Sequence, residues 1–369
     1  MLKTHVANAV GFACLDRPEA LNTLDLELVS RLHQQLAAWQ ADPGIAVIVL
    51  RGEGPRAFCA GGDVKAVRIE AANGNTAYGI EFFTREYRLD FAIHESIKPI
   101  VAIAHGFTMG GGLGLLAGAT CRMVTTSSVL SMPEQTIGLF PDVGGSYFLN
   151  DLPGKLGLFL ALTGARVNAA DALSSGLADS FVPDDKIGEF CSLLQAAPWS
   201  PNFINDMAGA DANRRQLFAL ATRFSERHVG RLPAPVLMPR LDRINSILAG
   251  EQPMPAFTRL LNLAHDSDAA LARPAADFAR GSPTSSFVIF EQLKRGKNLG
   301  LGGCLRMELD LAMQCSQRHD FAEGVRALLV DKDRNPKWQP ETLDAVTPEW
   351  IAEHFQSPWA RGAHPLKDL

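Results

Sequence analysis

Two glycine-rich turns carry the residue pattern in this chain that is best suited to catalysis. Gly-Gly at residues 61–62 comes soon after the apolar residues 46–50, and Gly-Gly-Gly at residues 110–112 comes soon after the apolar residues 100–104. A strand that turns through glycines into a helix leaves backbone N–H groups without partners, and the lack of a Cβ lets a ligand oxygen come close. Such a turn can bind either a phosphate or the oxyanion that develops during acyl transfer.

The order of the glycines favours the oxyanion over the phosphate. The sequence contains no Gly-x-x-x-x-Gly-Lys-Ser/Thr loop, and the glycines at residues 110–112 do not follow the Gly-x-Gly-x-x-Gly order of a dinucleotide-binding loop. Two turns can supply two N–H donors, which is the minimum number needed to bind the carbonyl oxygen of a thioester. The pattern therefore predicts an acyl-transfer site.

Two acidic residues downstream of the turns could act with them. Glu134 follows Pro133 after the strand-like residues 129–132, and Asp142 lies in the Phe-Pro-Asp-Val-Gly segment at residues 140–144. Simpler roles remain open, because a glutamate beside a proline is commonly a solvated loop residue and an aspartate such as Asp142 commonly forms a turn. If Glu134 is buried among apolar neighbours, its pKa should rise towards neutrality, which suits acid–base chemistry.

A third acidic residue, Glu86, lies on a helix that the sequence predicts over residues 79–97. Its side chain could face a pocket, or it could be a surface charge paired with Arg85 or Arg88. The helical pattern alone favours neither role.

The elements that must position these residues alternate in type through the first half of the chain. The predicted strands are residues 6–15, 46–50, 100–104, 121–125 and 129–132. The predicted helices there include residues 79–97, 115–117, 156–162 and 169–177, and one helix capped at Asn22-Thr23 with Leu28, Leu32, Leu36 and Trp39 on its apolar face. Beyond about Pro183 the pattern predicts helices alone, over residues 213–224, 239–248, 257–265 and 287–294. We therefore expect an α/β fold in two parts, with a core at residues 1–183 and a helical C-terminal region at residues 184–369.

The composition limits the possible partners and cofactors. A net charge of −5 over 369 residues gives no reason to expect nucleic acid or a membrane as a partner, and no apolar run reaches the length of a membrane span. The six cysteines show neither Cys-x-x-Cys pairs nor metal-site spacing, so we expect reduced, buried thiols and no metal. Cys59 lies beside the first glycine turn, but no histidine or asparagine pattern supports a nucleophilic role for it.

Four motifs in this order resemble the crotonase (enoyl-CoA hydratase/isomerase) superfamily. They are Asp16-Arg17-Pro18-Glu19-Ala20-Leu21-Asn22, the two glycine turns with Phe58-Cys59-Ala60-Gly61-Gly62-Asp63 and His105-Gly106-Phe107-Thr108-Met109-Gly110-Gly111-Gly112, and Ser131-Met132-Pro133-Glu134 with Ile137-Gly138-Leu139-Phe140-Pro141-Asp142-Val143-Gly144-Gly145. The last arrangement is similar to the 3-hydroxyisobutyryl-CoA hydrolase branch, and segments at residues 281–285, 318–327 and 331–338 extend the likeness over nearly the whole chain. The resemblance implies a crotonase-like spiral of ββα repeats with a helical C-terminal region.

The resemblance also implies roles for individual residues. Gly62 and Gly111 match the oxyanion donors, Glu134 matches the acid–base or nucleophilic carboxylate, Asp142 matches the residue that binds the substrate's 3-hydroxyl, and Glu86 matches a third acidic position of the pocket. The implied reaction is hydrolysis of 3-hydroxyisobutyryl-CoA, or of a close short 3-hydroxyacyl-CoA, to the free acid and CoA, as in valine catabolism. The resemblance implies an acyl-CoA substrate, no cofactor and a possible homo-oligomer. The lack of a visible leader favours the cytoplasm, or the mitochondrial matrix if a transit peptide has been removed.

Two other functions are compatible with the same motifs. Enoyl-CoA hydratases of this superfamily carry a second glutamate three residues after the oxyanion glycine, because hydration needs two carboxylates that share one water. This chain has Gly114 at that position, which argues against a hydratase or isomerase. Ribosome-associated relatives of the branch would be expected to lose the acidic residues and gain basic patches, and this chain keeps the acids and is net acidic.

Overall fold

The computed structural model of the protein describes residues 1–200 and 207–369. Its strands are β1 (Leu2–Ala7), β2 (Val10–Leu15), β3 (Val47–Gly52), β4 (Ala57–Cys59), β5 (Ile100–Ala104), β6 (Phe107–Met109), β7 (Cys121–Val124), β8 (Val129–Ser131) and β9 (Ser180–Phe181). Its helices are α1 (Leu26–Ala41), α2 (Val64–Ala72), α3 (Thr76–His94), α4 (Gly111–Ala117), α5 (Gly145–Phe148), α6 (Leu156–Thr163), α7 (Ala169–Ser175), α8 (Ile187–Ala196), α9 (Met207–His228), α10 (Leu241–Ile247), α11 (Pro253–Leu263), α12 (Ala269–Arg280), α13 (Pro283–Gly296), α14 (Leu301–Ser316), α15 (His319–Val325) and α16 (Pro348–His354).

These elements repeat a strand–strand–helix order, which confirms the predicted fold class. The first strands of the repeats form a six-stranded sheet in the order β1-β2-β3-β5-β7-β9, and the second strands form a three-stranded sheet in the order β4-β6-β8. The pairs β2–β3, β3–β5, β5–β7 and β7–β9 are parallel, and β1 adds to β2 as an antiparallel edge. Parallel strands with helical connections are what the alternating pattern of apolar runs and periodic segments demands.

The residues divide into two compact units that are each discontinuous in sequence. The first unit comprises Met1–Gly62, Leu89–Leu130 and Val167–Pro235, and the second comprises Asp63–Arg88, Ser131–Arg166 and Val236–Leu369. These units do not follow the division at residue 183 that the sequence suggests, because chain segments on both sides of that position contribute to each unit. The division at 183 remains a prediction about which part of the chain folds as the core.

The first unit is built on the buried faces of the six-stranded sheet. Strands β2, β3, β5 and β7 contribute aliphatic side chains to one core cluster, and helices α8 and α9 cover it with Phe190, Leu217 and Phe224. The predicted strand at residues 100–104 is confirmed at both ends, since β5 is a fully buried run of five apolar residues. The predicted apolar face of α1 is also confirmed, because Leu28, Leu32 and Leu36 are buried.

Two local predictions for the first unit are wrong. The predicted single strand at residues 6–15 is a hairpin of β1 and β2, because Asn8 and Ala9 adopt positive φ angles of 45° and 63° and reverse the chain. The cap of α1 is Asp25, whose carboxylate accepts from the Leu28 N–H, and not Asn22. Asn22 is buried and donates from Nδ2 to the carbonyl oxygens of Glu53 and Ala57 at 2.9 and 2.8 Å, so it anchors the chain next to the first glycine turn.

The second unit is mainly helical and contains three of the four C-terminal helices that the sequence predicts, at residues 239–248, 257–265 and 287–294, whereas the fourth, at residues 213–224, lies in α9 of the first unit. Helices α11, α12 and α13 pack through aromatic side chains, with the Phe257 ring lying edge-on to Phe287 at 5.1 Å and tilted against Phe278 at 5.4 Å between centroids. Helix α14 carries a buried face that includes Leu305, Leu309 and Ala312. Among the described residues, no helix combines the length and the apolar character needed to cross a membrane.

Candidate active site

The two glycine turns lie against each other in the first unit. Strand β4, before the first turn, pairs in parallel with β6, before the second. Gly61 has a φ of +109° and Gly110 a φ of +48°, which are conformations that residues with a Cβ rarely adopt. A Cβ on Gly61 would lie only 3.2 Å from the Met109 carbonyl oxygen and 3.8 Å from the Gly111 nitrogen. The backbone of one turn is therefore within contact distance of the backbone of the other.

Both predicted oxyanion donors belong to these turns. Gly111 is the first residue of α4, so its N–H has no carbonyl partner within its own helix and lies at the positive end of the helix dipole. Gly62 is the second glycine of the first turn and forms a bridge with Leu24, while the Gly61 carbonyl accepts from the Leu24 N–H at 2.9 Å. The first turn is thus held by backbone hydrogen bonds to the segment that begins the chain's first long helix.

Two other glycines, Gly112 and Gly114, lie within α4. A Cβ on Gly112 would lie 2.2 Å from the Cys59 carbonyl oxygen and 2.8 Å from the Cys59 Cβ, so only glycine allows α4 to approach β4 this closely. Gly114, also within α4, is buried and brings no carboxylate to this helix. Cys59 is fully buried, as expected for a small core residue.

The three predicted acidic residues come together in the second unit, and we call Glu86, Glu134 and Asp142 the acidic cluster. Glu86 lies on α3, Glu134 begins a 3₁₀ helix at Glu134–Ile137, and Asp142 lies in the loop before α5. All three side chains are buried. Burial raises the pKa of Glu86, and the neighbouring charges of Asp142 and then Glu134 raise it further.

Burial sets the direction of the pKa shift at the other two members as well. It is the largest cause that raises the pKa of Glu134 above its ordinary value, and the charge of Asp142 adds to it. Burial also raises the pKa of Asp142 to about 6, although a hydrogen bond from Tyr87 partly offsets the rise. Ionising all three groups together is costly, and carboxyl groups with pKa values raised in this way are suited to accepting or donating protons near neutral pH.

The alternative role for Glu86 as a paired surface charge is excluded. Its side chain is only 2 % exposed. Arg85 pairs instead with Glu81 at 2.5 Å, and Arg88 pairs with Asp368 at 2.6 Å. Glu86 therefore points into the interior and not along the solvent face of α3.

Two carboxylate oxygens of the cluster are available as acceptors. Within residues 1–200 and 207–369, neither Oε1 of Glu86 nor Oε2 of Glu134 makes a hydrogen bond, although both atoms are buried. A buried oxygen without a partner is costly, and it is commonly retained where a ligand or water completes the hydrogen bonding. This observation favours a binding site over a structural cluster.

Two further residues of this site were missed by the sequence analysis. The Tyr87 hydroxyl donates to Oδ2 of Asp142 at 2.7 Å, and Glu308 on α14 accepts from the backbone N–H groups of Gly144 and Ser146, both at 2.8 Å. Glu308 interrupts the apolar face of α14 that includes Leu305 and Ala312, whereas the buried side of α3 beside Tyr87 already carries the polar residue Glu86. The interruption on α14 is a signal that could have marked Glu308 as a buried acid, although it does not indicate the N–H groups that Glu308 binds.

Comparison with known proteins places the chain in a family. A family model described as enoyl-CoA hydratase/isomerase matches residues 10–355. A protein of Xenopus laevis named "3-hydroxyisobutyryl-CoA hydrolase, mitochondrial" is 38% identical over 351 residues, which cover 95% of this chain and 87% of that protein. The Homo sapiens protein of the same name is 38% identical over 347 residues, covering 94% of this chain and 86% of that protein.

Solved structures resemble the whole chain. A Rhodobacter sphaeroides 2.4.1 structure described as an enoyl-CoA hydratase has a TM-score of 0.83 at 33% identity and covers 97% of both chains. A Mycobacterium thermoresistibile structure described as a carnitinyl-CoA dehydratase has a TM-score of 0.83 at 35% identity and covers 100% of this chain and 99% of that one. The sequence motifs, the strand–strand–helix repeats and these likenesses agree, and the chain belongs to the enoyl-CoA hydratase/isomerase family.

Proposed function

We propose that this protein is a thioesterase that hydrolyses 3-hydroxyisobutyryl-CoA, or a close short 3-hydroxyacyl-CoA, to the free acid and CoA. The observation that carries the proposal is the buried acidic cluster, in which acceptor oxygens of Glu86 and Glu134 have no hydrogen-bond partner among the residues that the structure describes. The relatives named 3-hydroxyisobutyryl-CoA hydrolase support the choice of substrate. The reaction needs only an aqueous pool of CoA esters, in the cytoplasm or in the mitochondrial matrix.

In this proposal the two glycine turns stabilise negative charge. The N–H groups of Gly62 and Gly111 bind the thioester oxygen while it becomes an oxyanion. Backbone donors of this kind contribute roughly 3 kcal/mol each to the stability of a transition state. Their position at turns with fixed backbone conformations means that little reorganisation is needed when the charge develops.

Glu134 breaks the thioester bond by one of two routes. As a nucleophile, its carboxylate forms a bond to the carbonyl carbon, the CoA thiolate leaves and takes up a proton, and water then hydrolyses the mixed anhydride. As a general base, it removes a proton from a water that attacks the same carbon directly. Both routes need the carboxylate of Glu134 and end with the same products.

Asp142 and Glu86 bind the acyl group. Oδ2 of Asp142 already accepts from Tyr87, and we assign Oδ1 to the 3-hydroxyl of the substrate. A hydroxyl that donates to a buried carboxylate is bound more tightly than a hydrocarbon that leaves the carboxylate without a partner. Acyl-CoA esters without a 3-hydroxyl are therefore expected to be poor substrates.

An assay of CoA release over a panel of short acyl-CoA esters tests this function. We expect 3-hydroxyisobutyryl-CoA to be hydrolysed faster than isobutyryl-CoA, and crotonyl-CoA to be hydrated slowly or not at all. The solved structures described as a hydratase and a dehydratase make crotonyl-CoA the necessary comparison. Rapid hydration of crotonyl-CoA would mean that the argument from Gly114 is wrong and that the chain is a hydratase.

The change of Asp142 to asparagine is expected to reduce discrimination between substrates. Asp142→Asn should lower kcat/KM for 3-hydroxyisobutyryl-CoA far more than for isobutyryl-CoA, because only the first ester has a hydroxyl to bind. A hydrogen bond to a buried charge contributes about 1.5–3 kcal/mol, which is roughly 10- to 150-fold in kcat/KM. Equal losses on the two esters would assign Asp142 to structure or general electrostatics.

Removal of the Tyr87 hydroxyl is expected to shift the pH dependence of the reaction upwards. The hydrogen bond from Tyr87 lowers the pKa of Asp142, which burial has raised to about 6. Tyr87→Phe removes the donor, so the pKa of Asp142 rises and the carboxylate form is lost at a higher pH. The acidic limb of kcat/KM against pH should move to higher pH for 3-hydroxyisobutyryl-CoA. Tyr147→Phe, at an exposed tyrosine, is the matched control and should leave the limb in place. An unchanged or lower midpoint in Tyr87→Phe would contradict the assignment.

A further inference from the structure

Glu308 on α14 is a buried carboxylate whose two oxygens are both bound to one loop of the second unit. Oε2 accepts from the Gly144 N–H and Oε1 from the Ser146 N–H, each at 2.8 Å. The Glu308 side chain is fully buried. We call residues 140–146, which are the loop before α5 and the first two residues of that helix, the Asp142 loop. Helix α14, which is distant in the sequence, therefore fixes the Asp142 loop at two backbone positions.

The Asp142 loop has a backbone conformation that needs such support. Val143 has a φ of +53°, which is unfavourable for a β-branched residue, and Gly144 follows with a φ of +87°. Gln292 on α13 holds the same loop by donating from Nε2 to the Pro141 carbonyl oxygen at 2.6 Å and to Ser146 Oγ at 2.8 Å. A strained segment persists only where its surroundings determine it, and here α13 and α14 supply the hydrogen bonds.

The groups around Glu308 belong to the acidic site. Burial is the main cause that raises the pKa of Tyr87, which donates to Asp142, and the charges of Asp142 and then Glu308 add to it. Burial also raises the pKa of Cys304 on α14, and the charge of Glu308 adds to that shift. Burial raises the pKa of Glu308 itself to about 8, although the Ser146 and Gly144 hydrogen bonds oppose the rise. The hydrogen bonds from Gly144 and Ser146, and not the charge alone, distinguish Glu308 from an ordinary buried acid.

We propose that Glu308 is a positioning residue that fixes Asp142 to receive the 3-hydroxyl of the substrate. It does not touch the substrate in this proposal, and it acts only through the Asp142 loop. The inference rests on the proposed function, because it concerns the preference for a hydroxylated acyl group. Its consequence is that helix α14 of the C-terminal region helps to determine which acyl-CoA esters are hydrolysed.

The variant Glu308→Gln tests this role. The glutamine oxygen can accept from only one of the two N–H groups, and its NH₂ group faces the other donor, so the loop loses one of its two anchors. We expect the ratio of kcat/KM for 3-hydroxyisobutyryl-CoA to that for isobutyryl-CoA to fall by about tenfold or more. A second variant, Glu308→Asp, keeps the charge but withdraws both oxygens by about 1.5 Å, which takes them out of hydrogen-bonding range of the two N–H groups, and it should lower the ratio as well.

Asp320→Asn is the matched control for lost stability. Asp320 is also a buried carboxylate that accepts two hydrogen bonds, from Ser282 Oγ at 2.6 Å and from the Gln339 N–H at 2.8 Å, and it makes neither of them to the Asp142 loop. It should lower the melting temperature as Glu308→Gln does and leave the ratio of the two kcat/KM values within about twofold.

Three results would overturn the inference. A folded Glu308 variant with the wild-type ratio would show that Glu308 serves only stability, and an equal fall in Asp320→Asn would trace the effect to general destabilisation. If Glu308→Gln does not fold, Glu308→Asp decides by the same ratio. A wild-type protein that hydrolyses neither ester refutes the proposed function and this inference together, whereas a wild-type preference that survives in the Glu308 variants refutes the inference alone.

Discussion

Replacement of Glu134 by glutamine is expected to lower the rate of CoA release by at least about a thousandfold. The amide has nearly the same shape as the carboxylate, but it can neither attack the thioester carbon nor accept a proton from water. Oε2 of Glu134 makes no hydrogen bond within the described residues 1–200 and 207–369, so the substitution breaks no contact of that atom there. The measurement is the single-turnover release of CoA from 3-hydroxyisobutyryl-CoA. Near-normal turnover would remove Glu134 from the mechanism.

Glu86→Gln is the matched control for this prediction. It neutralises a second acid of the same cluster, which is also buried and also has an oxygen without a hydrogen-bond partner in the described part of the chain. We expect a loss of about tenfold, because Glu86 is assigned to binding and not to bond cleavage. Equal losses in Glu86→Gln and Glu134→Gln would trace the effect to the total charge of the cluster.

The Glu134→Gln substitution should also stabilise the fold at neutral pH. Because the folded pKa of Glu134 is raised above its ordinary value of 4.5, the native state keeps a proton that the unfolded state releases once the pH exceeds that value. The contribution of Glu134 to the free energy of unfolding of the wild type therefore falls as the pH rises from the pKa of Glu134 in the unfolded state to its pKa in the folded state. Above the folded-state pKa this contribution changes no further. Glutamine has no such dependence. The measurement is the free energy of unfolding by urea for the wild type and Glu134→Gln. The two values should be similar at about pH 4, and the value for Glu134→Gln should be the higher one at about pH 8.

Segments with one repeated local pattern could be predicted from the sequence. Strand β5 was predicted at both ends because five consecutive apolar residues follow Pro99 and precede a polar turn. The apolar face of α1 follows from residues that recur at helical spacing, but the predicted cap at Asn22-Thr23 is wrong, because Asp25 caps the helix. The Asn22 side chain instead donates to the backbone carbonyl oxygens of Glu53 and Ala57, and no local pattern in the sequence reveals these partners.

The acidic residues illustrate why a site is harder to predict than a strand. Motif resemblance identified Glu134 and Asp142, but the helical pattern around Glu86 could not show which side of α3 is covered. Glu308 is separated by 164 and 162 residues from the two N–H groups that it binds. A buried hydrogen bond over that separation depends on the packing of α14, so it follows from tertiary structure and not from any local sequence signal.

Replacement of Gly112 by alanine is expected to damage both stability and activity. The new Cβ would lie 2.2 Å from the carbonyl oxygen of Cys59, and a backbone atom in a paired strand cannot move aside cheaply. Overpacking of this kind costs about 1–3 kcal/mol or more. Relief of the clash would shift α4 away from β4 and displace the Gly111 N–H, and a displacement of about 1 Å at a catalytic group can cost roughly a hundredfold in rate.

Gly188→Ala separates the clash from the general effect of adding a methyl group to a helix. Gly188 is the second residue of α8, as Gly112 is the second residue of α4, and a Cβ on Gly188 would meet no atom of the described residues within 4 Å. Alanine at Gly188 should leave the rate of CoA release unchanged and raise stability by about 0.5–1 kcal/mol, because alanine loses less backbone entropy in a helix than glycine does. Urea unfolding and CoA release are measured on both variants. If Gly112→Ala behaves like Gly188→Ala, the contact between the two turns does not require glycine, and the close approach of α4 to β4 is not what holds Gly111 in place.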